Sequence, residues 1–115
     1  ARRLVEAALA RPAVRALFAV PSGNVELLRE QAFEAVLGGK WLSGKIDRLV
    51  LEKDADGRPV RARIIDFKTD QTPAPARHAA QMADYRQAAG LLFGLPPGNI
   101  TCTLLFVRSG TIIDL

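Results

Sequence analysis

Apolar and polar positions change period several times along the chain, and each change marks an element. In residues 2–19, Leu4, Val5, Ala8 and Leu9, then Val14, Leu17 and Phe18, fall at helical spacing. Pro12 lies between the two sets, where it ends one helix or opens the next at its first turn. The cluster Pro21-Ser22-Gly23-Asn24 reads as a loop. From 25 to 37 apolar and charged residues nearly alternate, the period of a strand. Gly38-Gly39 supplies a tight turn into a second strand, 41–52, carrying Ile46, Leu49 and Val50. Asp54-Ala55-Asp56-Gly57 makes another hairpin turn, and 60–68 returns as a third strand.

A Pro-rich connection, Thr72-Pro73-Ala74-Pro75, leads into a helix running from Arg77 to Phe93. Gly94, Pro96, Pro97 and Gly98 stop it. Residues 100–107 read as a buried strand, and Ser109-Gly110 turns into a short last strand, 111–115. Helix, three strands, helix, two strands predicts an α/β (α+β) fold: a mixed central sheet of about five strands with flanking helices. The hairpins are antiparallel, and the long crossover after the third strand favours parallel pairing with the fourth. No linker-like stretch interrupts residues 1–115, so they are read as one domain.

Composition narrows the class. With 49% hydrophobic and 24% charged residues the chain is expected to fold around a core. No apolar run approaches the roughly 20 residues that span a bilayer, and no signal peptide opens the sequence. The single Cys102 excludes an internal disulfide and sits in an apolar run, which reads as a buried structural thiol. A reducing, cytoplasmic setting fits these features. The net charge of +4 favours polyanionic partners, although an arginine-rich composition also follows from a GC-rich genome. The chain begins with Ala1 in mid-pattern, as a piece of a longer protein would.

The chemistry concentrates in the third strand. Side chains alternate there, so Asp66 and Lys68 share one face while Ile65 and Phe67 enter the opposite, apolar layer. Taken alone, Asp-x-Lys is equally well a cross-strand ion pair at a sheet end. Asp47 changes the balance. It lies in the strand that forms a hairpin with that of Asp66, each acid a few residues from an end, so a register can bring both carboxylates to one edge. Two close carboxylates repel, and a hard divalent cation relieves the repulsion. Lys68 beside such a site can orient a water or stabilise charge on a phosphate. Gln81 and Tyr85, four apart on the next helix, share a face and can meet the strand ends, with Met82, Ala89, Leu92 and Phe93 as the packing stripe. By itself this pair is a surface glutamine and a half-buried tyrosine.

In this order the residues resemble the PD-(D/E)XK nuclease superfamily, RecB-like branch. Gly44-Lys45-Ile46-Asp47-Arg48-Leu49 is similar to its G-x-I-D-R motif, Ile64-Ile65-Asp66-Phe67-Lys68-Thr69 to its I-x-D-[FY]-K-T motif, and Gln81-Met82-Ala83-Asp84-Tyr85 to its Gln-x-x-x-Tyr motif. From about Val5 onward the chain resembles the C-terminal nuclease domain of AddA-type, UvrD/Rep-like helicase–nucleases, including Arg29-Glu30-Gln31-Ala32-Phe33 ahead of the glycine turn. The resemblance implies a restriction-endonuclease-like core. It implies Asp47, Asp66 and the Phe67 carbonyl as metal ligands, Lys68 as catalytic lysine, and Gln81 and Tyr85 as support for the site or the DNA. It adds Glu30 as an auxiliary acid. Mg2+ is the implied cofactor, with Mn2+ as a substitute. ATP would enter only through upstream helicase domains. DNA, as single strand from unwound duplex, and an AddB-like subunit are the implied partners, in double-strand-break repair.

RecB-like members usually place a metal-ligating histidine on a helix ahead of the Asp47-type motif, and no histidine stands there. The sole His78 follows Lys68 and is read as a solvated residue. The expectation is that the ligand's helix lies upstream of Ala1. Two further readings stay open at this point: a nuclease-like module that binds DNA or assembles without chemistry, and a structural hairpin sheet with an Asp47–Lys68 ion pair.

Overall fold

The computed structural model describes residues 6–18 and 23–115. Five strands form one sheet in the order β1-β2-β3-β4-β5. They are β1 Val25–Leu37, β2 Lys40–Lys53, β3 Pro59–Lys68, β4 Ile100–Phe106 and β5 Thr111–Asp114. Helix α1, Pro12–Phe18, precedes the sheet, and α2, Ala79–Phe93, crosses between β3 and β4. That crossover lets β3 and β4 pair in parallel, whereas the other three pairings are antiparallel. The mixed α+β sheet with flanking helices is the one expected. The helical spacing of Leu4 and Val5 and the Pro21-Ser22 part of the first loop lie outside the described residues.

Local chemistry sets the turns. Gly38 and Gly39 have φ of +56° and +77°, as a two-residue hairpin of matching twist requires. At the β2–β3 turn, Asp54 Oδ1 accepts from the backbone N–H of Asp56 at 2.9 Å and of Arg58 at 3.0 Å. Pro12 opens α1, where its missing N–H costs nothing. Helix α2 starts two residues later than the spacing predicts. Pro75–Arg77 forms a separate 3₁₀ turn, and His78 closes that turn and opens the helix.

The sheet has a core on each face. Met82, Tyr85, Ala88 and Ala89 of α2 pack with Ile46, Leu49, Ile64, Leu104 and Phe106. Val14 of α1 packs on the other face with Ile65, Leu105 and Val107. Leu92, expected in the α2 stripe, is instead 49% exposed, because the helix turns Ala88 and Ala89 to the sheet. Cys102 is buried, its thiol donating to the Met82 carbonyl at 3.8 Å, and burial raises its pKa, so the structural reading holds.

The alternation of β1 and β2 is broken at one place. Leu42 and Ile46 face the α2 core, and so do Leu49 and Leu51, so the inward side passes from even to odd positions between 46 and 49. β1 makes the same change between Leu28 and Phe33. Pairing runs from Arg29↔Arg48 to Gln31↔Ile46 with Glu30 and Asp47 unpaired between them. Glu30, at φ +49°, is the one described non-glycine residue in the left-handed region. Two facing residues leave the pleat together, which swaps the faces and keeps the register. Asp47 stands inside β2, as the expected bounds of that strand also had it, one residue beyond the point where pairing with β3 stops.

Candidate active site

Pairing of β2 with β3 stops at Arg48↔Ile65, while β3 continues along β4 to Lys68↔Phe106. One step past the stop, the register sets Asp47 across from Asp66. The ladder is replaced there by a side chain: Asp47 Oδ2 accepts the Phe67 N–H at 2.7 Å. The expected convergence of both acids at one edge is thus observed. It arises where the strands part and backbone groups need other partners.

Asp66 and Lys68 share the α2 face while Ile65 and Phe67 point to the other core, as alternation requires. Asp66 is 4% exposed. Lys68 Nζ lies 2.5 Å from Asp66 Oδ2 and donates to Gln81 Oε1 at 2.6 Å. Gln81 Nε2 donates to the Tyr85 hydroxyl at 3.1 Å, which donates to the Lys45 carbonyl at 3.2 Å. One relay therefore ties β3, α2 and β2 together around the lysine. Because Lys68 pairs with Asp66 and Asp47 bonds backbone, the structural alternative of an Asp47–Lys68 ion pair is absent among the described residues.

Tyr85 is buried, not half-buried, with its ring edge-on to Phe33 at 5.2 Å between centroids. Burial first, then the Asp66 charge, raises its pKa, so it acts as a neutral hydroxyl. Gly44 makes room for it: a Cβ there would lie 2.9 Å from Tyr85 Cε1 and 3.0 Å from Phe33 Cζ. The glycine of the Gly44–Leu49 segment thus has a steric reason that sequence alone did not supply.

Asp66 is the strained charge. Its pKa is raised to about 6, chiefly by burial; the Lys68 ammonium beside it pulls it down, and the neighbouring Asp47 carboxyl pushes it up. Oδ2 touches Lys68 as an ion pair but accepts no well-aligned hydrogen bond. Such a carboxylate has spare acceptor capacity facing a second carboxylate, which fits a hard cation with oxygen ligands. Among the described residues no group of three or more His, Cys, Asp or Glu could hold a metal ion. Magnesium commonly takes one or two carboxylates plus waters and substrate oxygens, so the pair meets that lesser requirement.

His78 departs from expectation. Its side chain is 15% exposed and its Nε2 lies 2.9 Å from Asp70 Oδ2, with Arg77 3.7 Å from the same oxygen. The tight turn at Pro75 folds it back onto the segment after β3, so it is an anchored residue and not a solvated one. The carboxyl of Asp70 is held below the usual range, first by the His78 hydrogen bond. Glu30 faces Asp47 across the ladder break, but its carboxylate is largely exposed and lies 3.9 Å from Lys45 Nζ. Arg48, to which the sequence pattern assigns no role, is 5% exposed and donates to the Phe18 carbonyl at 3.0 Å. Burial of an arginine is not visible in the pattern of a strand.

A family model described as the PD-(D/E)XK nuclease superfamily matches residues 2–114. No curated protein matches the chain. The mixed sheet with flanking helices is consistent with the restriction-endonuclease-like fold of that superfamily.

Proposed function

The chain belongs to the PD-(D/E)XK nuclease superfamily, and from that premise we propose that it is a divalent-metal-dependent DNA nuclease module with its site at the β2–β3 divergence. The observation carrying this reading is Asp66: a buried, under-satisfied carboxylate beside Asp47, with Lys68 held against it by Gln81. Asp47 and Asp66 would hold the cation, which supplies Lewis-acid polarisation and a water of lowered pKa. Phe67 donates its N–H to Asp47, and its carbonyl leaves an extended strand on the same side, available as a further oxygen. Magnesium is the ion such a small oxygen set favours, with manganese as a substitute.

Lys68 places a positive charge at the mouth of the acid pair, where it orients a water or stabilises charge on the attacked phosphate. Gln81 accepts from Lys68 and is itself fixed by Tyr85, so the pair sets the direction of the ammonium group. The finer assignment is to a RecB-like, AddA-type helicase–nuclease, acting on single strands from unwound duplex beside an AddB-like subunit. Its support is the Gln81–Tyr85 spacing together with the segments around Asp47 and Asp66. On that assignment residues 1–115 are one nuclease domain of a longer chain, with a further metal-binding histidine and the ATP-using helicase domains upstream.

The test is cleavage of labelled DNA by the full-length protein carrying Asp66→Ala or Lys68→Ala. Cleavage is expected to vanish while unwinding persists. Full cleavage by both variants overturns the proposal. Salt-sensitive, chelator-insensitive DNA binding by the unsubstituted protein without products would instead favour a module that binds and does no chemistry.

A further inference from the structure

The α1 side of the catalytic edge carries an unexplained concentration of positive charge. Arg29 and Arg48 are direct cross-strand partners, and Arg63 pairs with Val50, the next position on that face of β2. Like charges placed opposite each other destabilise a sheet unless something of opposite sign lies between them. Among the described residues none of the three has a carboxylate within ion-pair distance. Residues 1–5 and 19–22 contain no Asp or Glu that could supply one.

Arg48 is the centre of this row. It is 5% exposed, stacks over the Phe18 ring at 4.8 Å and caps the last carbonyl of α1. That leaves its buried Nε with no hydrogen-bond partner. Burial and the charges of Arg29 and Arg63 depress its pKa, which shows how little compensates the cation. A cavity of about 440 Å³ opens beside it, lined by Phe18, Arg29, Glu30, Asp47, Arg48 and Phe67. The two acids in its wall are engaged elsewhere, Glu30 toward Lys45 and Asp47 with the Phe67 N–H, whereas among the described residues neither lining arginine has an acid partner and Arg48 hydrogen-bonds only the Phe18 carbonyl.

We propose that Arg29, Arg48 and Arg63 form an oxyanion site that takes a phosphodiester group of the nucleic-acid strand on the α1 side of the acid pair. The inference rests on the nuclease reading and adds to it the path of the strand: past Phe67 and Asp47, along the cavity beside Phe18 at the end of α1. Arginine suits the task because its planar donors match phosphate oxygens and it sheds water more readily than lysine. Arg48 positions the site, Arg29 lines the cavity with it, and Arg63, across from Val50 outside the cavity wall, extends the row of positive charge along that face.

The test uses the protein with chelator present, so that binding is read without cleavage. The apparent Kd for a fluorescent single-stranded oligonucleotide is measured across a salt series for Arg29→Ala, Arg63→Ala and the charge-matched control Arg58→Ala at the distant β2–β3 turn. Each site variant is expected to weaken binding roughly threefold and to lower the slope of log K against log salt by about 0.7, with the control well below that. In the unsubstituted protein the Arg48 Nε–H resonance is expected to shift on adding inorganic phosphate, which a purely structural arginine would not show. Arg29→Ala and Arg63→Ala binding with unchanged affinity and slope, or no better separated than Arg58→Ala, overturns the inference. If that result accompanies cleavage that still requires Asp66, only this inference falls. If cleavage is also independent of Asp66, the nuclease reading falls with it.

Discussion

The β2–β3 ladder carries aspartates at both ends, and the two ends treat them in opposite ways. At the hairpin turn, Asp54 accepts two backbone N–H groups in an exposed loop. At the divergence, Asp47 takes one backbone N–H and Asp66 is buried against it with only the Lys68 ion pair. The residue type is the same. What differs is how many donors meet each carboxylate and how much water remains. The turn end uses charge to fix a loop, whereas the divergent end holds charge that its own surroundings do not satisfy. That imbalance is available for a cation and for chemistry.

The largest expected effect separates the ends by activity. Asp66→Ala or Lys68→Ala should lower DNA cleavage by about 10³-fold, while Asp54→Ala leaves the rate unchanged and costs about 1 kcal/mol of stability. Equal activity losses at both ends, in protein shown to be folded, would erase the contrast.

The next effect has the opposite sign. The folded pKa of Asp66, about 6, lies above its ordinary value of 3.8, so the native state holds more protons than the unfolded one between those values. Raising the pH through that window therefore removes stability, on the order of 2–3 kcal/mol when no metal is present. Asp66→Asn should be more stable than the parent by roughly that amount at pH 8 with chelator, and equal to it below pH 4. Chemical denaturation at the two pH values measures this; a destabilised Asp66→Asn at pH 8 would show that the site is not a reservoir of unfavourable charge. With a divalent ion below saturation, cleavage should fall as pH drops below about 6, because a protonated Asp66 binds metal poorly.

Gly44→Ala should cost about 1–3 kcal/mol and reduce cleavage as well, since the new Cβ displaces Tyr85 from beneath the relay. Gly98→Ala, in open space, should do neither. Thermal melting with parallel rate measurement distinguishes them. The smallest effect is expected from Tyr85→Phe: loss of about 1 kcal/mol and a several-fold lower rate with KM little changed, as Lys68 loses its indirect orientation. A larger fall in rate than that of Lys68→Ala would mean that Tyr85 acts on the substrate itself.

Much of this molecule was legible in its residue pattern. Period-two stretches, Gly38-Gly39 and the aspartate–glycine turn define three strands and their antiparallel pairing, because turn chemistry and alternation are local. The length of the crossover through α2 was enough to make β3 and β4 parallel. Alternation alone put Asp66 and Lys68 on one face, and the four-residue spacing put Gln81 under Tyr85. Tertiary structure decided the rest. The shared kink at Glu30 and Asp47 preserves register while exchanging faces, so no period in either strand announces it. Burial of Arg48 beneath Phe18, the anchoring of His78 by Asp70 and the exposure of Leu92 depend on which element packs over which. Above all, the sequence alone established that two acids and a lysine could meet, but only desolvation at the point where β2 and β3 separate raises the pKa of Asp66 and leaves its oxygen short of donors, because the cost of a charge is set by what surrounds it in space.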